Sequence, residues 1–273
     1  MSVSPTAGGF DALAPGYDSD FGSNPIGRWM RQRTWQRMDA RFAPGSHILE
    51  FGCGTGIDLV RLAGQGHHVT AVDISPAMAD VARQKAAALH LQPWATVLCG
   101  DLSSGDLPAE VTAGAPFDGL LSNFGALNCV EDLPVLLRRL HGLLKPGAPF
   151  LACLMTRPCP WETAWYLLRL QPGEAFRRYR RGGVDVRLGE YAVRTGYQSA
   201  GGYAGQFSHF FLLDHRLALG VVVPPPYLEG LAGRYPRLFR LACRIEARLA
   251  HCRPFSLAGD HTLFEMTAKG GRR

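Results

Sequence analysis

No run in this 273-residue sequence is apolar for long enough to span a bilayer. The start, Met1 to Gly9, has neither the basic n-region nor the apolar h-region of a signal peptide. No C-x-x-C occurs, and the seven cysteines are scattered; an odd number argues against a complete disulfide framework. Cys99 and Cys153 sit inside apolar, strand-like runs, where cysteine acts as a small hydrophobe. H-E-x-x-H and other metal-ligand spacings are missing, so no metal is expected. So is any basic motif interleaved with aromatics, which leaves nucleic acid without support as a partner. These absences fit an ordinary globular composition, with the cytoplasm as the expected compartment. The length suits one doubly wound domain with an added cap and is too short for two large domains.

What is present centres on His47-Ile48-Leu49-Glu50-Phe51-Gly52-Cys53-Gly54-Thr55-Gly56, followed by Ile57-Asp58-Leu59-Val60-Arg61-Leu62. The apolar run fits a buried parallel strand. Three glycines at alternate positions then allow positive φ and close approach of a ligand. They lead into a helix N-terminus, whose free N–H groups favour negative charge. A second strand, Gly66 to Asp73, ends in a carboxylate about 20 positions past the loop, where an acid can accept from ribose hydroxyls. A third, Ala95 to Gly100, is followed by Asp101. Two strand ends presenting acids suit a nucleoside, one for the sugar and one for the base.

With these residues in place the sequence resembles the class I S-adenosylmethionine-dependent methyltransferases, in their small-molecule branch. Glu50 to Gly56, with Gly52, Cys53, Gly54, Thr55 and Gly56, is similar to that family's first motif; the dinucleotide pattern G-x-G-x-x-G is not matched. The resemblance implies that Asp73 binds the ribose, that Gly100-Asp101-Leu102 holds the adenine, and that Ile74 and Met78 flank the adenosine. Simple core packing is the other reading of Met78. Leu143-Leu144-Lys145-Pro146-Gly147 is similar to the family's turn into strand five. Phe10 to Asp18 resembles the leader of small-molecule members, whose tyrosine, here Tyr17, reaches the methionine carboxylate. The implied fold is α/β: a doubly wound, seven-stranded, mostly parallel sheet with a cap inserted between strands five and six.

The expected organisation is a lid over 1–45, a cofactor-binding core over 46–157, a substrate cap over 158–205 and the rest of the core over 206–273. Asn24-Pro25 caps a helix with Ile26, Trp29, Met30, Met38 and Phe42 on its apolar side. This helix either forms part of a lid, with Arg28 or Arg31 facing the cofactor carboxylate, or packs on the sheet edge. Ser75-Pro76 starts a second crossover helix. Strand four, Phe117 to Asn123, should end beside the donor methyl, so that Asn123 and Phe124 line the cofactor site. Ser122-Asn123-Phe124-Gly125 departs from the polar-Pro-Pro-aromatic segment of enzymes that methylate adenine or glutamine amines, which counts against those acceptors. Cys159 beside Pro160 is similar to the nucleophile dipeptide of cytosine methyltransferases, with a structural loop cysteine as the other reading.

In the cap, Trp161, Trp165, Tyr166, Leu167, Leu168 and Leu170 suggest an amphipathic helix, and residues 184–188 and 191–195 alternate around Gly189-Glu190 as a hairpin. The aromatic content suits an apolar or planar acceptor. Arg177, Arg178, Arg180 and Arg181 either pair with an acidic group on the acceptor or form a solvated charge run. Strand six is read at His209 to Arg216 and the last, antiparallel strand at His261 to Ala268. Between them, Pro236 to Cys252 carries Leu238, Leu241, Ile245 and Leu249 on one side and Arg237, Arg240, Arg244 and Arg248 along another. A surface crossover helix is the economical reading; a peripheral membrane contact or an acidic partner is the alternative. The net charge of +6, carried largely by arginine in the second half, permits an anionic partner without proving one.

Transfer from a sulfonium needs alignment and exclusion of water more than acid–base chemistry. Candidate bases are Tyr197, Tyr203, His209, Asp214 and His215, and spacing selects none of them. The expected activity is methyl transfer to an oxygen or nitrogen of a small aromatic or apolar metabolite. The rival readings are a scaffold that keeps the fold without turnover, a nicotinamide-dependent oxidoreductase, and a nucleic-acid methyltransferase.

Overall fold

The computed structural model describes residues 4–103 and 107–270. After α1 (Pro5–Leu13) and a π-helical turn (Asp18–Gly22), α2 (Pro25–Arg41) leads to the sheet. The core alternates β1 (His47–Phe51), α3 (Ile57–Gly64), β2 (His68–Asp73), α4 (Pro76–Ala88), β3 (Ala95–Cys99), α5 (Ala109–Gly114), β4 (Gly119–Ser122), α6 (Leu133–Gly142) and β5 (Pro149–Arg157). The insertion holds α7 (Pro160–Leu168), α8 (Pro172–Ala175), β6 (Val184–Leu188), β7 (Tyr191–Thr195), the two-residue β8 (Gln198–Ser199) and α9 (Ala200–Phe207). The chain then adds β9 (Phe211–Leu219), α10 (Glu229–Arg234), α11 (Pro236–Leu249) and β10 (His261–Ala268).

The main sheet runs β3-β2-β1-β4-β5-β10-β9, with β8 added beside β5. The β1–β5 pairings are parallel, whereas β10 is antiparallel to both β5 and β9. This is the expected doubly wound sheet. Its strand order reverses at β1/β4, and in such sheets a ligand lies outside the carboxyl ends of the strands at that point. The β6–β7 hairpin pairs Val184 with Thr195 through Leu188 with Tyr191, as the alternation predicts.

Both helix starts read from sequence, Asn24-Pro25 and Ser75-Pro76, are formed. The Asn24 side chain accepts from the N–H groups of Ile26 and Gly27 at 2.9 and 3.2 Å, and Ser75 Oγ accepts from Met78 N at 3.1 Å. Helix α2 buries Ile26, Met30, Thr34 and Met38 at four-residue spacing. One face of the sheet packs on α6 and α9 through Leu136, Leu140, Phe150, Phe207 and Phe264. The other packs on α2 and α3 through Ile26, Met30, Leu59, Leu151 and Leu263.

Helix α11 departs from expectation. A crossover helix buries its apolar stripe, yet Leu238, Leu241 and Ile245 are 63, 50 and 38 % exposed. The face against the protein is that of Phe239, Ala242, Cys243 and Glu246. The cause is polar. Glu246 is wholly buried and accepts from the backbone N–H groups of Gly220, Val222 and Val223 at 2.7, 2.7 and 2.6 Å. Those charge-assisted bonds fix which side of the helix faces inward.

Candidate active site

The glycine loop is strapped to β2 by Gly52 N donating to Val72 O at 2.8 Å. Gly52, Gly54 and Gly56 have φ of +72°, +53° and +77°, the left-handed region that favours glycine. Their surroundings differ. A Cβ on Gly52 would stand 2.2 Å from Ala126 Cβ and one on Gly56 2.8 Å from Ala82 Cβ, whereas one on Gly54 meets nothing within 4 Å. The outer glycines therefore let the loop pack, and the middle one leaves space above it.

Asp73 lies at the end of β2, buried. Its Oδ2 accepts from Gly54 N at 2.7 Å and its Oδ1 from Ser75 N at 2.9 Å. Burial raises its carboxyl, partly offset by the N–H groups of Ser75, Gly54 and Ile74. A carboxylate has about four acceptor sites, so capacity remains for ligand hydroxyls. Ile74 is half-buried and Met78 buried. Past β3, Ser103 donates to Asp101 Oδ1 through its N–H at 2.8 Å and its hydroxyl at 2.5 Å. Gly100 N donates to Asp73 O at 2.9 Å, which joins the ends of β2 and β3, while Leu102 is fully buried in the core.

The loop is covered by the N-terminal segment. Thr55 Oγ1 donates to Asp18 Oδ1 at 2.6 Å, and Asp18 is also paired with Lys85. Asp11 Oδ1 accepts from Ser75 Oγ at 2.5 Å and from Ala77 N at 3.0 Å. The hairpin backs α1: Cβ atoms on Gly8 and Gly9 would strike Tyr191 and Val193. Tyr17 follows α1, with its ring 5.0 Å from Phe21 and its phenol raised by burial, opposed by Arg31 and reinforced by Asp73, Asp58 and Asp18.

Of the two arginines on α2, Arg28 is exposed. Arg31 donates to Asp58 Oδ2 at 2.8 Å and lies 4.7 Å over the Phe124 ring. Asp58 also accepts from Trp35 Nε1 at 2.6 Å and from Asn123 Nδ2 at 2.8 Å. It is the hub joining α2, α3 and the end of β4. The sequence shows only its position in the first turn of α3, which suits a helix dipole; its partners lie 23 to 65 positions away.

The buried oxygens without a hydrogen-bond partner among the described residues include Glu50 Oε2 and Asn123 Oδ1, with Ser122 Oγ next to Asn123 in the chain. Glu50 is buried on β1 opposite Leu121, two residues before Asn123 on the neighbouring strand. Burial, with Asp58 adding to it, pushes the Glu50 carboxyl well above its ordinary range. Buried acceptors left unpaired are costly, and a donor reaching them would relieve that cost. A cationic donor reaching them would also favour the ionised carboxylate. Open space over Gly54, acceptor capacity on Asp73 and two unpaired acceptors fit the nucleoside and the ammonium and sulfonium charges of S-adenosylmethionine.

The other side of Phe124 holds residues that spacing did not single out. The His261 ring is 5.7 Å from that of Phe124, and His261 pairs with Met155 near the carboxyl end of β5. Its Nδ1 is 3.0 Å from Asp260 Oδ2. Asp260 Oδ1 accepts from Arg178 Nη2 at 2.6 Å, and Arg178 also donates to both oxygens of Glu162 at 3.0 Å. Burial works to raise Asp260, but His261 and Arg178 outweigh it and hold its carboxyl well below the usual range.

The arginine cluster thus divides: two members close ion pairs within the protein and two are solvated. Arg178 is buried in this network, and Arg177 is bidentate to Glu162 at 3.0 and 2.9 Å. Only Arg180 and Arg181 are solvent-exposed. Cys159 is buried at the start of α7, and burial pushes its thiol up to about 12, which suits a packed thiol and not a nucleophile. Tyr203 donates to Gly196 O at 3.1 Å and sits 3.0 Å from Asn128 Nδ2. Tyr197 packs its ring under Arg178 at 5.1 Å. His209 is exposed before β9; Asp214 pairs with Arg41, and His215 is 2.9 Å from Glu265. His215 lies four residues before Leu219, which pairs with His261, so it is roughly 13 Å down the strand from the carboxyl-end edge.

Residues 48–147 match the methyltransferase-domain family. A demethylmenaquinone methyltransferase from Symbiobacterium thermophilum is 32 % identical over 156 residues, covering 55 % of this chain and 58 % of that protein. Across the first three curated relatives the chain spans 58 to 64 % of their length. Among solved structures, the SpnF cyclase superposes with a TM-score of 0.63 at 16 % identity, covering 97 % of this chain and 96 % of that one. A putative S-adenosylmethionine-dependent methyltransferase from Listeria monocytogenes superposes with a TM-score of 0.56 at 17 % identity, covering 86 % and 96 %. Over residues 48–147 the chain carries a methyltransferase domain, and its fold is similar to that of S-adenosylmethionine-dependent methyltransferases.

Proposed function

We propose that this protein methylates an oxygen or nitrogen of a small aromatic acceptor, with S-adenosylmethionine as donor. The observation that carries the cofactor reading is the pair of unpaired buried acceptors, Glu50 Oε2 and Asn123 Oδ1, beside a glycine loop with space above Gly54. Asp73 and Asp101 would hold the nucleoside, Glu50 and Asn123 the ammonium group, and Tyr17 with Arg31 the carboxylate. When bound, the cofactor supplies a methyl on a cationic sulfur, already electrophilic.

The chain's residues have two further tasks. The lid, fastened by Asp11, Asp18 and Arg31, excludes water and thereby strengthens every charge interaction beneath it. His261 is the candidate base: Asp260 fixes its Nδ1–H tautomer, which leaves Nε2 to take a proton from an acceptor hydroxyl. Arg178 keeps Asp260 ionised for that purpose. The aromatic insertion and the quinone named in the Symbiobacterium thermophilum relative both support a planar, apolar-bodied acceptor such as a quinol.

The test is a panel of quinols, phenols and aromatic amines incubated with the full chain and S-adenosylmethionine, read as S-adenosylhomocysteine formed. Turnover of a planar hydroxyl acceptor that drops at least tenfold in His261→Ala is expected. The second reading, a protein of this fold with a different task, is favoured by the cyclase among its structural neighbours. Cofactor binding without turnover across the panel would support it.

A further inference from the structure

Helix α11 offers solvent a surface that the methyl-transfer site does not use. Leu238, Leu241 and Ile245 form an exposed apolar stripe at three- and four-residue spacing. Arg237, Arg240, Arg244 and Arg248, all exposed, run beside it. The helix's single acid, Glu246, is buried and spent on three backbone N–H groups, so the outward face is purely cationic and apolar. Along the other flank lies a groove of about 230 Å³ lined by Trp161, Val222, Pro224, Leu231, Tyr235 and Phe239. Tyr227 and Tyr235, both exposed, lie just ahead of the helix.

We infer that α11 is a peripheral docking surface for an anionic phospholipid membrane. Its arginines meet the headgroup phosphates, and its leucines and isoleucine enter the acyl boundary. Charge and shape favour this occupant. A helix with one apolar face and a basic polar flank lies in the plane of the interface, and tyrosine and tryptophan suit its edge. A second copy docked on the same stripe would bring two arginine rows together with no exposed acid on either helix to answer them. No helix among the described residues is long and apolar enough to cross a membrane, so the contact is a surface one.

The experiment is flotation of the full chain with vesicles of phosphatidylcholine alone and of phosphatidylcholine mixed with phosphatidylglycerol. Binding to the mixed vesicles, weakening as salt rises, is expected, with little binding to phosphatidylcholine alone. The double variant Leu238→Glu/Leu241→Glu should lose the binding. Arg240→Gln/Arg244→Gln should weaken it on the order of 30-fold, at about 1 kcal/mol per arginine near an anionic surface. Both variants should keep wild-type helical content by circular dichroism, because the replaced side chains are exposed. Three results overturn the inference: no flotation of the wild type, flotation unchanged in the leucine variant, or equal flotation with both vesicles. Capture by an acidic protein partner in place of vesicles overturns it too, as does a dimer in solution that the leucine variant splits.

Discussion

Replacing Gly54 with alanine separates ligand space from folding space. All three loop glycines hold positive φ, so alanine costs roughly 1–2 kcal/mol at any of them. At Gly54 that is the whole cost to the fold, because the added Cβ meets nothing within 4 Å. At Gly52 the Cβ would lie 2.2 Å from Ala126 Cβ, and overpacking adds a further ~1–3 kcal/mol. Thermal unfolding should therefore show a midpoint lowered by roughly 2–4 °C for Gly54→Ala and clearly more for Gly52→Ala. Titration calorimetry with S-adenosylhomocysteine should show the opposite weighting for Gly54→Ala: a mild loss of stability with at least tenfold weaker binding, since the methyl occupies the ligand's place. Wild-type affinity in Gly54→Ala would refute the cradle, whatever the melting data show.

Asp260 provides a pH test. Its folded-state carboxyl lies below the unfolded value of about 3.9, so its contribution is complete above about pH 4 and is lost as pH falls towards the folded value. The difference in melting temperature between wild type and Asp260→Asn should be widest near neutrality and shrink below about pH 4; a gap that ignores pH would contradict the Arg178–Asp260–His261 geometry. Glu246→Ala leaves three N–H groups, two of them buried and one part-buried, without an acceptor, at about 1–3 kcal/mol for each that stays unsatisfied. A loss of at least ~3 kcal/mol in denaturant unfolding is expected, and a change below about 0.5 kcal/mol would deny that Glu246 anchors α11.

Much of the cofactor side was legible because it is local. Strand, glycine loop and helix fall within some 16 consecutive residues, and Asn24-Pro25 and Ser75-Pro76 carry their caps with them. Asp58 escaped because its meaning lies in Arg31, Trp35 and Asn123, which only the fold brings to it. Arg178 and Asp260 are 82 positions apart, so the run of arginines read as surface charge while two of its members were closing buried ion pairs. The sequence places His261 at the start of the last, antiparallel strand and says nothing of its neighbours. Only the antiparallel register with β5 puts it beside Phe124. Helix α11 shows the limit of periodicity: the period locates a stripe, and a single buried glutamate decides that the stripe faces out.

The most direct measurement is a calorimetric titration of the wild-type chain with S-adenosylhomocysteine and, separately, with NADH. The account predicts one site for S-adenosylhomocysteine, sharply weakened by Asp73→Ala, and no heat of binding for NADH. NADH binding, or affinity for S-adenosylhomocysteine that survives Asp73→Ala intact, would contradict it.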